Sequence, residues 1–135
     1  MPESFEELIA RACALRRAGD RAESEAVYSK AGRVARSTGD TAGLAHALRH
    51  VSDLARERDA HAEALAAARE ATDLYRSDAG AGPLNIANSL RLQALALEAL
   101  GRAAESRPLW EEAGSLYRQA GVGVAVAECE RHLRR

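Results

Sequence analysis

Two histidines four residues apart are the first residues of this chain whose types and spacing could do chemistry. On a helix, His46 and His50 share one face, and Asp53 and Glu57 follow seven and eleven residues after His46. Imidazole nitrogens and carboxylate oxygens at that spacing could ligate a transition metal. A solvated polar face or a packed imidazole accounts for them equally, and it is the favoured reading, because one segment alone supplies the candidates. His61 and His132 stand isolated in the sequence, which points to surface or packing roles. No GxSxG, phosphate-binding loop or dinucleotide fingerprint is present, so Ser24, Ser29, Ser52 and Ser106 read as helical or capping residues. The expectation is a protein that is not an enzyme and holds no cofactor or metal.

Composition narrows the class further. The 135 residues are 47% hydrophobic and 29% charged, with a net charge of −1, the profile of one globular domain. A balanced charge argues against nucleic acid as a partner, which favours a clustered basic face. Lys30 is the only lysine among the basic residues, and alanine makes up roughly a quarter of the chain, well above ordinary usage. Such arginine and alanine excess is associated with high-GC bacterial genomes. Cys13 and Cys129 lie far apart and outside any CxxC or Cys/His spacing, so both are expected to be half-buried free thiols. The segment Met1 to Glu7 carries Glu3, Glu6 and Glu7 where a secretion signal would be basic and then apolar. No apolar run approaches the ~20 residues that span a bilayer. The expected location is the cytoplasm, away from the membrane.

Any site must be positioned by helices. Alanine is the strongest helix former, and no stretch alternates with the period of a strand. Breaks fall at Gly19-Asp20, Gly39-Asp40, Asp59, Gly80 to Pro83, Gly101 and Gly121 to Gly123. Between them the spacing predicts seven helices, at about 4–18, 21–37, 41–58, 60–77, 84–100, 103–119 and 123–134. Ser4-Phe5-Glu6-Glu7 reads as a capping box, and Asp20 to Glu23 repeats it with an acidic cap. Pro83 suits a first turn.

The even-numbered segments repeat. Blocks opening on Ala22-Glu23, Ala62-Glu63 and Ala104-Glu105 each close on alanine, at Ala31, Ala71 and Ala113, with starts 40 and then 42 residues apart. Gly19, Asp59 and Gly101 precede them in register. In the odd-numbered segments Leu8, Leu48 and Leu90 coincide, then Ala12, Ser52 and Ala94, then Leu15, Ala55 and Leu97. Large and small residues alternating at fixed positions are what packed helix pairs need. Tyr28, Ala68 and Trp110 share one position of varying volume. A fixed period of helix–turn–helix units implies a stacked array.

These residues resemble the tetratricopeptide repeat family. The resemblance rests on the leucine, the following small residue, the turn glycine, Ser24, Ala64 and Ser106 in the second helices, the aromatics Tyr28 and Trp110, and the late alanine. Periods of 40 and 42 are similar to the longer variety of kinesin light chains and many bacterial regulators, whose second helix starts much like Ala104 to Leu109, with Pro108 placed near the first turn. The resemblance implies an all-α, right-handed solenoid in one domain, 1–135. Its repeats are expected at about 4–38, 41–78 and 84–120, with a capping helix at about 123–134 in which Glu128 replaces the repeated leucine. It also places the first helix of each pair along a concave groove. The inward residues would be Glu6, Ile9, Cys13, Arg16 and Arg17, then His46, Arg49, His50, Asp53, Arg56 and Glu57, then Asn88, Arg91, Leu92, Leu95 and Glu98. Ile9 and Cys13 stand where a chaperone-type carboxylate clamp has other residues. Arg49-His50 and Arg91-Leu92 stand where long-period relatives often pair asparagines.

The expected partner-binding residues are therefore Arg16, Arg17, His46, Arg49, His50, Asp53, Arg56, Arg91, Leu95 and Glu98. Arginine forks suit carboxylates, so the partner would be a protein or peptide, an acidic one if the arginines are free. Asp53, Glu57, Glu6 and Glu98 could instead pair with them and leave a neutral face. Two other roles remain open. One is self-association through the terminal helices, by Phe5 and Ile9 or by Val124 and Val126. The other is a metal or small-molecule site around His46 and His50.

Overall fold

The computed structural model describes residues 2–135, leaving only Met1 outside. Among these residues there are seven helices and no strand: α1 (Phe5–Arg17), α2 (Arg21–Thr38), α3 (Thr41–Glu57), α4 (His61–Ser77), α5 (Pro83–Ala99), α6 (Ala103–Ala120) and α7 (Gly123–Leu133). No helix is long and apolar enough to cross a membrane.

The starts follow the local chemistry. Ser4 caps α1 with a complete capping box: its Oγ accepts from the Glu7 amide at 3.1 Å, and its own amide donates to the Glu7 carboxylate at 3.1 Å. Asp20 manages only half of that arrangement, accepting from the Glu23 amide at 3.4 Å. Asp40 caps α3 through the Gly43 amide at 2.9 Å. Pro83 is the first residue of α5. Pro108 departs from expectation. It is the sixth residue of α6, so it sits in the second turn and leaves the carbonyl of Ala104 without its helical donor. Ala104 is exposed, so water can satisfy that carbonyl.

Turns of two to five residues fold each helix back, and consecutive helices pack on one another; α3 also touches α5. Gly19 and Gly101 leave their helices with φ of 84° and 75°, the left-handed conformation that glycine adopts without cost. Asp59 holds the same turn position with φ 63° and is the only residue other than glycine with positive φ among those described.

Within each helix pair the closest approach is made by small residues. Ser24 of α2 donates to the Ala12 carbonyl of α1 at 2.8 Å. One repeat later the donor changes sides, and Ser52 of α3 donates to the Ala64 carbonyl of α4 at 2.7 Å. Ala12, Ser24, Ser52, Ala64, Ala94 and Ser106 are all buried. Between pairs, a Cβ on Gly32 would stand 3.7 Å from that of Ala47, and one on Gly114 would stand 3.3 Å from that of Cys129. The equivalent place between α4 and α5 holds Thr72 and Ser89, whose hydroxyls meet at 2.8 Å. Gln93 Nε2 donates to Thr72 at 2.6 Å, and Ser89 donates onward to the Ile86 carbonyl at 2.8 Å. This buried chain satisfies its own polar atoms.

Gly114 facing Cys129 as Gly32 faces Ala47 also corrects the register of α7. The positions are 82 residues apart, which puts Glu130 rather than Glu128 in line with Leu48. Cys129 is fully buried there, while Cys13 is half-buried. The larger side chains gather at the two ends, Tyr28 with Leu8 and Leu54, and Trp110 with Leu90 and Tyr117.

Two substitutions test these packing arguments. Asp59→Gly should raise stability by up to about 1 kcal/mol in urea unfolding, because it removes the left-handed strain of a residue with a side chain. Thr72→Val should lower it by about 1–3 kcal/mol, since Gln93 loses its buried acceptor.

Candidate functional site

Helices α1, α3 and α5 bring Arg16, Arg49, His50, Asp53, Asn88, Arg91 and Leu92 around one open cleft of about 440 Å³. A second cleft adjoins it toward α7 and shares Asn88 and Arg91. Its other walls are Leu84, Tyr117, Val122, Val124, Ala125, Glu128 and Arg131, and it spans about 690 Å³ with the open solvent at its mouth included.

Most charges on this face hold one another. Arg16 Nη2 lies 2.5 Å from Asp53 and 2.8 Å from Glu57. Asp53 also takes Arg56 at 2.5 Å, and Glu57 takes Arg21 at 3.0 Å. Arg91 grips Glu128 of α7 in a fork, at 2.6 and 3.1 Å. Burial works against ionisation of Asp53, but the bonds from Arg16 and Arg56 prevail and hold its pKa below the usual value. The Arg91 bond does the same for Glu128. Single half-exposed pairs contribute about 1 kcal/mol or less; their effect here is to commit these guanidinium groups. Arg49 has no carboxylate and no hydrogen-bond partner among the described residues, although it lines the cleft between them.

His50 is part of the same network. Its ring stacks on Tyr28 at 4.4 Å and 3°, and His46 meets it edge-on at 4.7 Å. Arg16 Nη1 stands 3.2 Å from His50 Nδ1. A guanidinium can only donate, so Nδ1 accepts and the ring is neutral. Burial first, then His46, Arg49 and Arg16, push its pKa down to about 4 against the pull of Asp53. Burial and Arg49 lower that of His46 as well. Among the described residues no three histidine, cysteine or acidic side chains are grouped so as to hold a metal ion.

The other expected groove residues are scattered. Arg17 is exposed and lines neither cleft. Arg56 and His46 support Asp53 and His50 from behind the lining. Leu95 packs on the C-terminal core. Glu98 is turned elsewhere: its Oε2 accepts from Trp110 Nε1 at 2.9 Å and lies 2.9 Å from His132 Nδ1. His132, isolated in the sequence, stacks on Trp110 at 4.0 Å and 15°. This repeats the arrangement of Tyr28 and His50 with every position advanced by 82 residues, and Glu98 takes the place of Arg16. The aromatic–histidine match at that offset was the available signal. Sequence reasoning also missed the apolar lining of the second cleft. Phe5, Ile9 and Val126 pack against the chain's own core, which leaves Val124 as the exposed member of the terminal apolar set, at 85%.

Searches against models of known protein families and against curated proteins return no match to this chain.

The neutral His50 makes a pH prediction. A depressed histidine pKa means that the folded state binds fewer protons than the unfolded chain between about pH 6.5 and the folded value. Stability therefore falls as pH drops through that window. Asp53 adds its loss only lower, below its ordinary pKa. Urea midpoints measured from about pH 7 to about pH 4.5 should decline for the wild type. His50→Asn should flatten most of the decline, with His46 supplying the remainder.

Proposed function

We propose that the chain is a tetratricopeptide-like solenoid of three helix pairs with α7 as its cap, and that it is a protein-interaction module. The face formed by α1, α3 and α5 would take a segment of a partner protein bearing a carboxylate. Three things support the array: the repeat of 40 and 42 residues, the left-handed turn at Gly19, Asp59 and Gly101, and packing between consecutive helices. The observation that carries the binding role is Arg49. Three arginines line the central cleft, and Arg16 and Arg91 are held by carboxylates of the chain itself. Arg49 keeps its fork of donors for something else, and a carboxylate matches that fork in charge and shape. The reading assigns the protein no reaction.

A random peptide display library selected on the protein tests this. Selected sequences should be enriched in aspartate and glutamate, and Arg49→Glu should lose them while its helical circular dichroism stays the same. Selection of sequences without acidic enrichment, or equal capture by Arg49→Glu, would show that Arg49 is not the site.

A further inference from the structure

The second cleft carries exposed apolar side chains beside its charged ones. Leu84 and Val124 are 42% and 85% exposed, and both stand on its rim. Leu100 is the only other exposed large hydrophobic residue among those described. Val122, Ala125 and Tyr117 complete the lining. Apolar side chains held open to water in this way can bury a matching side chain at a gain. The two clefts are neighbours, because Asn88 and Arg91 of α5 line both.

Resting on the reading that this face binds a protein segment, we propose that the segment carries an internal acidic residue with an apolar residue two or three positions away. The acid pairs with Arg49, and the apolar side chain seats between α5 and α7. Asn88 joins the two points. The Tyr117 hydroxyl donates to Asn88 Oδ1 at 2.7 Å. The Asn88 amide nitrogen is thereby turned away from Tyr117, with no partner among the described residues, and it can donate to a passing backbone carbonyl.

Charge settles the sign of the partner. Asp53 and Glu128, the carboxylates of the two clefts, are already held by Arg16, Arg56 and Arg91. The guanidinium groups left over are Arg49 and the exposed Arg131, neither with an ion-pair partner among the described residues. A basic segment would find no free counter-charge here. The spacing follows from helix packing. Helix α3, which carries Arg49, touches α5, which carries the shared Asn88 and Arg91. Touching helices lie about 8–10 Å apart, so the step from Arg49 to the second cleft is of that order. An extended chain covers that distance in about two to three residues, at roughly 3.1–3.3 Å each. The carboxylate is that of an internal side chain and not of a chain end, because the open cleft extends past Arg49 as far as Arg16 of α1. A segment can run on past Arg16, whose charge is already met.

The test uses capped peptides on a serine–glycine background with isotope-labelled protein. One peptide carries glutamate and leucine three positions apart, one carries glutamate alone, one leucine alone, and one ends in a free carboxylate with leucine but no glutamate. Nuclear magnetic resonance follows the Arg49 Nε–H and the Val124 and Leu84 methyl groups up to about 1 mM peptide. The paired peptide should shift all three signals and bind about tenfold more tightly than either single-residue peptide. Val124→Ser, at a fully accessible position, should erase the contribution of the leucine. If the glutamate peptide binds as tightly as the paired one, the apolar subsite is overturned and the acidic-groove reading stands. If the free-carboxylate peptide alone moves Arg49, the internal acid is overturned. If no peptide moves Arg49, both readings fall together.

Discussion

Helix axes can approach closely only where side chains are small, and the packing of this protein depends on that constraint. The crossings inside the first two pairs are made by Ala12 with Ser24 and Ser52 with Ala64, and Ala94 and Ser106, the matching positions of the third, are likewise small and buried. The crossings between pairs are made by Gly32 with Ala47, Thr72 with Ser89, and Gly114 with Cys129. Close approach brings dispersion contacts and excludes water from the backbone. It also sets how far each helix stands from the next, and so where the longer side chains on the exposed face meet. Arg16 can span from α1 to Asp53 and Glu57 on α3, and Arg91 from α5 to Glu128 on α7, because the helices beneath them are this near.

The same scaffold carries opposite electrostatics at two places. Tyr28 with His50 and Trp110 with His132 are the same stack at two positions along the chain. In the first, a guanidinium faces the imidazole and keeps it an acceptor. In the second, a carboxylate faces it and is shared with the indole N–H. Between them in sequence, Ala68 and Leu92 hold the matching positions and form no such stack. Equivalent backbone positions thus serve different local chemistry, which is how repeated architecture supports distinct surfaces.

The helices were legible because their ends carry local signals. Ser4, Asp20, Pro83 and the turn residues from Gly19 to Gly121 act within a few residues of themselves, and the observed limits lie within one residue or so of those read from them. The repeat of small residues was legible for the same reason: periodicity survives in one dimension. The pairing state of the face was not. Whether Arg16 or Arg49 meets a carboxylate depends on rotamers and on residues about forty positions away, 37 and 41 for Arg16, and sequence spacing carries no information about either. Glu98 departs from the inward stripe that the family resemblance implies, because Trp110 and His132 draw its carboxylate aside. The slip at α7 came from aligning a short segment without its packing partner. Gly114 against Cys129 supplies that partner only in three dimensions.

Contacts made mostly between consecutive helices have a kinetic meaning as well. Chains whose contacts are local in sequence lose little loop entropy on folding and reach the native state quickly. They also open piecemeal, beginning with elements covered on one side only. The backbone of α7 packs closely on α6 alone. One wall of the second cleft, from Val122 to Arg131, is therefore, with α1 at the other end, among the segments that open first, and a segment seated in that cleft would also hold α7 in place.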